Sequence, residues 1–298
     1  MEASAFARLY PEQYYDKFLA EGARPDGRPL GRARPVSVAR GVVTTADGSA
    51  LAKVGRTTCL AAVKLEPSPP ALDAPALGIL DVSVEMPPMC SAATRPGRPS
   101  EEAAHCTRRV AEALADARVV ALDDLCIAEA TWVWRASLDV YVLDHDGAIV
   151  DAALIAAVAA LRDCVVPHVA VDERGKLVYS GEGATTRGGS RIGGVEEGGE
   201  DATASRSSAR ALKLGAVTPL ALTIGQYRDA LVVDPTASEE ALMESVACVI
   251  VGEDGGVVGV GKPGGVVEAT ESTLMKCVAA AKLRYPKAKA AMDEAFGG

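Results

Sequence analysis

A few stretches of this chain hold residue types that could handle phosphate or a cation. Gly256-Val-Val-Gly-Val-Gly-Lys262-Pro263 nearly spells a Walker A loop, and Gly259, Gly261 and Gly264 nearly spell a dinucleotide fingerprint. A Walker loop needs a Ser or Thr hydroxyl for magnesium where Pro263 stands, and a dinucleotide loop must open a helix within a βαβ unit. Neither condition is met, so a glycine-rich hairpin is expected there. Arg95 and Arg98 differ, because they sit on the proline-stiffened tip Arg95-Pro-Gly-Arg-Pro-Ser100. Guanidinium groups so presented suit phosphate recognition, with a solvated loop as the alternative. Asp144, Asp146 and Asp151 surround one turn and could hold a hard cation, but turn former and helix cap describe them more simply. Asp234-Pro-Thr236 followed by Glu239 and Glu240 reads as a strand end and a helix start with an acidic first turn. The three histidines (105, 145 and 168) are isolated, and no G-x-S-x-G elbow occurs. No metal cluster and no catalytic triad is implied.

The element that must position these groups is the stretch Trp132 to Pro167. From Val133 to Leu143 the even positions Trp134, Ala136, Leu138, Val140 and Val142 are apolar while Arg135, Ser137 and Asp139 are not, which predicts a strand with one buried face. Asp146-Gly147 supplies a turn, Ile149-Val150 resumes extended chain, and Asp151 reads as the N-cap of a helix. Ala152 to Leu161 is apolar nearly all round, so that helix is expected to be buried.

Around this centre, Tyr14, Tyr15, Phe18 and Leu19 make Pro11 to Ala20 a short amphipathic helix. Arg24-Pro-Asp-Gly-Arg28, with arginines 32, 34 and 40 nearby, reads as a charged surface turn. Val36 to Glu66 predicts three antiparallel strands. Glu66 to Pro99, rich in proline, is expected to wrap the surface, and Ser100 to cap a helix running to about Val119. Residues 180–208, crowded with Gly, Ser and charge, read as an insertion that does not pack. Beyond it come further strands, a helix from Ala269 to Leu283, and a last helical piece after Pro286. The expected organisation is an N-terminal helix and arm over 1–30, a first half over 31–168, a connector over 169–215 and a second half over 216–298.

Composition narrows the class. The formal net charge of −9 disfavours non-specific nucleic-acid binding, so any RNA contact must be local. The seven cysteines are scattered and never spaced as CxxC, which predicts buried thiols rather than disulfides or zinc. No apolar run reaches the roughly eighteen residues a membrane helix needs, and the first fifteen residues lack the basic and apolar regions of a secretory signal.

Five motifs in order, RPDGR at 24–28, TADGSALAKVGRTT at 45–58, LCI at 125–127, LDHDGAIVDAA at 143–153 and VVDPTASEE at 232–240, resemble the RNase PH-like family over nearly the whole chain. The resemblance implies an α+β fold of the ribosomal protein S5 domain 2-like type with two β-sheet/helix halves. It also implies a place in a hetero-hexameric ring of RNase PH-like exosome subunits topped by OB-fold cap proteins, with RNA threaded through the channel. Neither cofactor nor metal is implied, and the compartments expected are nucleus, nucleolus and cytoplasm. Phosphorolytic members carry Gly-Ser-Arg or Gly-Gly-Thr-Arg before the buried helix, where hydroxyl, backbone N–H and guanidinium hold the attacking phosphate. This chain has Gly147-Ala148-Ile149, a lost phosphate site with neither hydroxyl nor cation. Where those members place an acidic segment, Ala209 to Gly215 carries Arg210 and Lys213. Both departures match the non-catalytic members, and in relatives the loop of Arg95 and Arg98 faces the channel. The expected function is therefore a structural, RNA-guiding ring subunit supporting 3′-to-5′ RNA processing and decay. An active phosphorolytic exoribonuclease and a small-molecule kinase of the same broad fold stand as alternatives.

Overall fold

The structure is a computed structural model that describes residues 3–92, 94, 100–172, 175, 177–179, 209–267 and 270–297. Two helices, α1 (Ala3–Leu9) and α2 (Pro11–Ala20), precede the meander β1 (Val36–Arg40), β2 (Gly48–Val54) and β3 (Thr57–Ser68). Strand β4 (Ile79–Glu85) and helix α3 (Glu101–Asp116) follow, with Ser100 Oγ accepting from Ala103 N at 3.1 Å as the expected cap. After β5 (Cys126–Ala128), the long strand β6 (Trp132–Asp144) pairs antiparallel with β3 and delivers the chain to α4 (Ile149–Arg162). The predicted alternation holds: Trp134, Ala136, Leu138, Val140 and Val142 all face the core.

Helix α4 is buried on every side from Asp151 to Leu161. That is possible only because one face lies on β2 and β3 while another meets the second sheet. Small side chains let these layers close: a Cβ on Gly48 would stand 2.5 Å from Ala160 O and 2.6 Å from Cys164 Cα. Short strands β7 (Val165–Val166), β8 (Val169–Val171), β9 (Leu177–Tyr179) and β10 (Arg210–Ala211) pair as β7 with β10 and β8 with β9. The second sheet has the order β12-β11-β13-β14, formed by β11 (Leu220–Tyr227), β12 (Ala230–Val233), β13 (Ser245–Val251) and β14 (Val257–Gly261). One turn of helix, α5 (Ala237–Glu240), joins β12 to β13, and α6 (Glu271–Glu294) closes the fold.

Three expectations are corrected here. Within the proline-rich excursion, Ile79–Glu85 enters the sheet parallel to β6, because its alternating ILDVSVE places Val84 inward while the prolines stay in the flanks. Pro286 does not divide the last helix, since α6 runs through it. Proline forfeits a helical N–H and crowds the preceding turn. Packing offsets this, because Tyr285, Ala288 and Met292 around it are buried and Tyr285 Oη donates to Thr218 O at 2.8 Å. The RPDGR turn is not a surface feature either, because Arg24 is fully buried. Its guanidinium donates to Val233 O at 2.7 Å, to Asp234 O at 3.0 Å and, through both Nε and Nη2, to the Glu239 carboxylate. With Tyr15 packed edge-on to Tyr227, it anchors the N-terminal arm to the second half. All cysteines but Cys126 are buried, and all are free thiols, as the spacing predicted. Among the described residues no helix is long and apolar enough to cross a membrane.

Candidate functional site at the start of helix α4

Where β6 ends, the chain must reverse within a few residues and start a buried helix. Gly147 adopts φ +80°, and a Cβ there would lie 2.5 Å from Pro235 O and 2.7 Å from Ala237 N, so glycine alone lets this turn meet the β12–α5 link. Ala148 follows with φ 51° as the N-cap residue and offers no side-chain cap. The helix thus begins at Ile149, two residues before the position expected for a cap at Asp151. Asp151 instead points inward and ties α4 to β11, accepting from Thr223 N at 2.9 Å and from Thr223 Oγ1 at 2.7 Å. Burial raises its carboxyl to about 6, and the Asp234 charge adds to this while the Thr223 bonds oppose it.

The turn is fastened from three directions. Thr57 Oγ1 donates to Gly147 O at 2.7 Å and accepts from Asp146 N at 3.1 Å. Arg34 donates through Nη1 to Asp146 O at 2.6 Å and through Nη2 to Gly147 O at 3.3 Å. The same guanidinium pairs with Asp234, whose Oδ1 lies 2.6 Å from Nη2 and whose Oδ2 accepts from the Arg34 backbone N at 2.6 Å. Burial pushes the Asp234 carboxyl up, but the bonds and charge of Arg34 outweigh it and hold the group below the ordinary carboxylate range. From α5, Glu240 Oε1 accepts from Ala148 N at 2.8 Å. Burial raises the Glu240 carboxyl to about 7 despite that bond.

Beside the turn opens a cleft of about 500 Å³ between α3, α4 and the second sheet, lined among others by Glu102, His105, Arg108, Ile149, Cys248 and Glu240. Its thiols are poor nucleophiles, because burial pushes both Cys106 and Cys248 well above the ordinary cysteine range. Burial, then Arg108 and Arg109, lowers the His105 imidazole below its usual value. Among the described residues no group of three His, Cys, Asp or Glu side chains could hold a metal ion. A phosphate entering from this cleft would meet the methyl of Ala148 and the branched chain of Ile149, with a carboxylate on the neighbouring amide.

The other residues singled out by sequence fall elsewhere. Arg95 and Arg98 lie outside the described residues. The near-Walker stretch is the β13–β14 hairpin and the strand β14, where the absence of a Cβ at Gly261 makes room for the Arg109 guanidinium. Arg210 forms an ion pair with Asp124. His145 approaches Glu102 at 3.6 Å, and His168 is exposed. Thr57 and Glu240, which shape the turn with Arg34, fall within the motifs at 45–58 and 232–240, but nothing in the spacing of these three distant segments shows that they meet.

Comparison with known proteins gives a concordant picture. Residues 32–167 match the model of the 3′ exoribonuclease family, domain 1, and residues 218–283 match that of domain 2. The exosome complex component Rrp42 of Aeropyrum pernix is 33% identical over 258 residues, covering 87% of this chain and 84% of that protein. Its counterpart in Sulfurisphaera tokodaii is 36% identical over 244 residues, covering 82% and 79%. Among solved structures, a chain of the Archaeoglobus fulgidus exosome with RNA bound to the active site superposes with a TM-score of 0.73 at 27% identity, covering 92% of this chain and 96% of that one. Rice Rrp46 shares the fold, with a TM-score of 0.62 at 18% identity over 92% of this chain and all of that one.

Proposed function

The chain belongs to the 3′ exoribonuclease family of RNase PH-like proteins, and from that membership we propose that it serves as a ring subunit of an RNA exosome that does not itself perform phosphorolysis. In this reading it sits among other RNase PH-like subunits under OB-fold caps, RNA passes through the ring, and the chain supports 3′-to-5′ processing and decay. YPEQYYDKFLAEGARPDGR and VEMPPMCS give it the character of the eukaryotic subunit called ribosomal RNA-processing protein 43, with nucleus, nucleolus and cytoplasm as the matching compartments. Arg95 and Arg98 are its candidate RNA contacts.

One observation carries the non-catalytic reading. Ala148 and Ile149 begin α4 at the wall of the cleft and bring neither hydroxyl nor guanidinium to it. Phosphorolysis needs orthophosphate held in line with the RNA 3′ end, and charge-assisted donors supply most of that hold. Removing one such donor typically costs 10²–10³ in rate, and here two are missing. Purified chain incubated with single-stranded RNA and orthophosphate should therefore release no nucleoside diphosphates. Their stepwise release would establish the alternative, a phosphorolytic exoribonuclease.

A further inference from the structure

The start of a buried helix is a natural anion seat, because its first N–H groups lack helical partners and the macrodipole favours negative charge. In this chain one of those donors is taken. Ala148 N donates at 2.8 Å to Glu240 Oε1, a carboxylate 92 residues further along the chain. Glu240 is brought there by backbone contact, since Gly147 fits against Pro235 O and Ala237 N at the entry to α5. We propose that Glu240 is the specificity-determining residue that closes this cleft to anions, its own carboxylate standing where an incoming phosphate would have to bind. The inference rests on the reading that the phosphate cradle is lost at Ala148 and Ile149, and adds to it an occupant.

Occupancy and charge act together. Any phosphate reaching the Ala148 amide must displace a half-buried carboxylate and leave it without that donor. It must also approach a cleft whose mouth carries Glu101 and Glu102 on α3, with Asp151 behind on α4. Arg108 on α3 and Arg34, just ahead of β1, are the cations on the other side of this balance, while burial and the neighbouring arginines keep His105 neutral at pH 8. Burial, Glu102 and Asp151 raise the Glu240 carboxyl to about 7, while the Ala148 bond and Arg34 hold it down. The occupant is therefore mostly ionised at pH 8, where phosphate is a dianion and repulsion is greatest.

The test follows backbone amides of the isotopically labelled full chain by NMR at pH 8 during titration with inorganic phosphate. In the wild type the amides at 148 and 149 should stay still. In Glu240→Ala they should shift saturably, with the wild type unmoved at ten times the half-saturating concentration. Ala148→Ser with Ile149→Arg should remain unresponsive until combined with Glu240→Ala. Were the double substitution to respond as strongly as the triple, Glu240 would not be the barrier, although the lost-cradle reading would stand. A wild-type response would overturn both, and a folded but unresponsive Glu240→Ala would overturn the role of Glu240. Should Glu240→Ala fail to fold, a pH titration decides instead. The wild-type amide proton at 148 should move with a midpoint near 7, and Glu240→Gln should abolish the movement. An amide that does not titrate would end the proposal.

Discussion

Replacing Arg24 by Met tests whether the N-terminal arm is anchored by a buried ion pair. The change keeps the aliphatic volume but removes four donated bonds, two to backbone carbonyls at Val233 and Asp234 and two to Glu239. Removing one partner of a buried pair costs about 3–5 kcal/mol, mostly because the other charge stays buried and unpaired. Glu239 is 3% exposed, yet keeps two donors from Thr236, the backbone N at 2.8 Å and Oγ1 at 3.0 Å. That retention places the expected loss at the low end, about 3 kcal/mol. At about 2–4 °C per kcal/mol for a chain near this size, the melting temperature should fall by roughly 6–12 °C. Urea denaturation of the single variants Arg24→Met and Glu239→Gln and of the double variant gives the coupling directly. The double should be less destabilised than the sum of the singles by more than about 1 kcal/mol. A loss below about 1 kcal/mol for Arg24→Met, or strict additivity, would refute the anchoring role.

Gly48→Ala should cost about 1–3 kcal/mol, because the added methyl enters space already held by Ala160 O and the Cys164 backbone; an unchanged urea midpoint would contradict it. Asp151 gives a pH dependence of definite sign. Its carboxyl keeps its proton in the fold up to about 6, whereas the unfolded chain releases it near 4. The folded state thus binds more protons in that window, so this group makes stability fall as pH rises from about 4 through about 6. Asp151→Asn should remove that slope in denaturation measured across the window, and an unchanged slope would remove the assignment. In reconstituted rings, Arg95→Glu with Arg98→Glu should lower the crosslinking of a threaded RNA to this subunit, and an unchanged yield would dismiss both arginines as RNA contacts.

What could be read from the sequence was whatever local pattern decides. The alternation in β6, the apolar run of α4, the Ser100 cap and the glycine-rich hairpin all follow from spacing along the chain. Tertiary packing hid the rest. Strand β4 is short and enclosed by prolines, so its alternation was overshadowed by turn chemistry until β6 offered it a parallel edge. Pro286 remains helical because the faces on either side of it are buried, a condition no local rule contains. Arg24 looked like surface charge because its partners lie more than 200 residues away. At the site, Gly147-Ala148-Ile149 could be singled out by what it lacks. That Asp151 braces β11 and that Glu240 meets the Ala148 amide required the two halves to be brought together.

The proposed loss of phosphate binding centres on the start of α4. A structure of the assembled ring with RNA and millimolar phosphate measures this most directly. No phosphate density should appear beside Ala148 and Ile149, and the Glu240 carboxylate should still sit on the Ala148 amide. Phosphate seated there in line with an RNA 3′ end would contradict it.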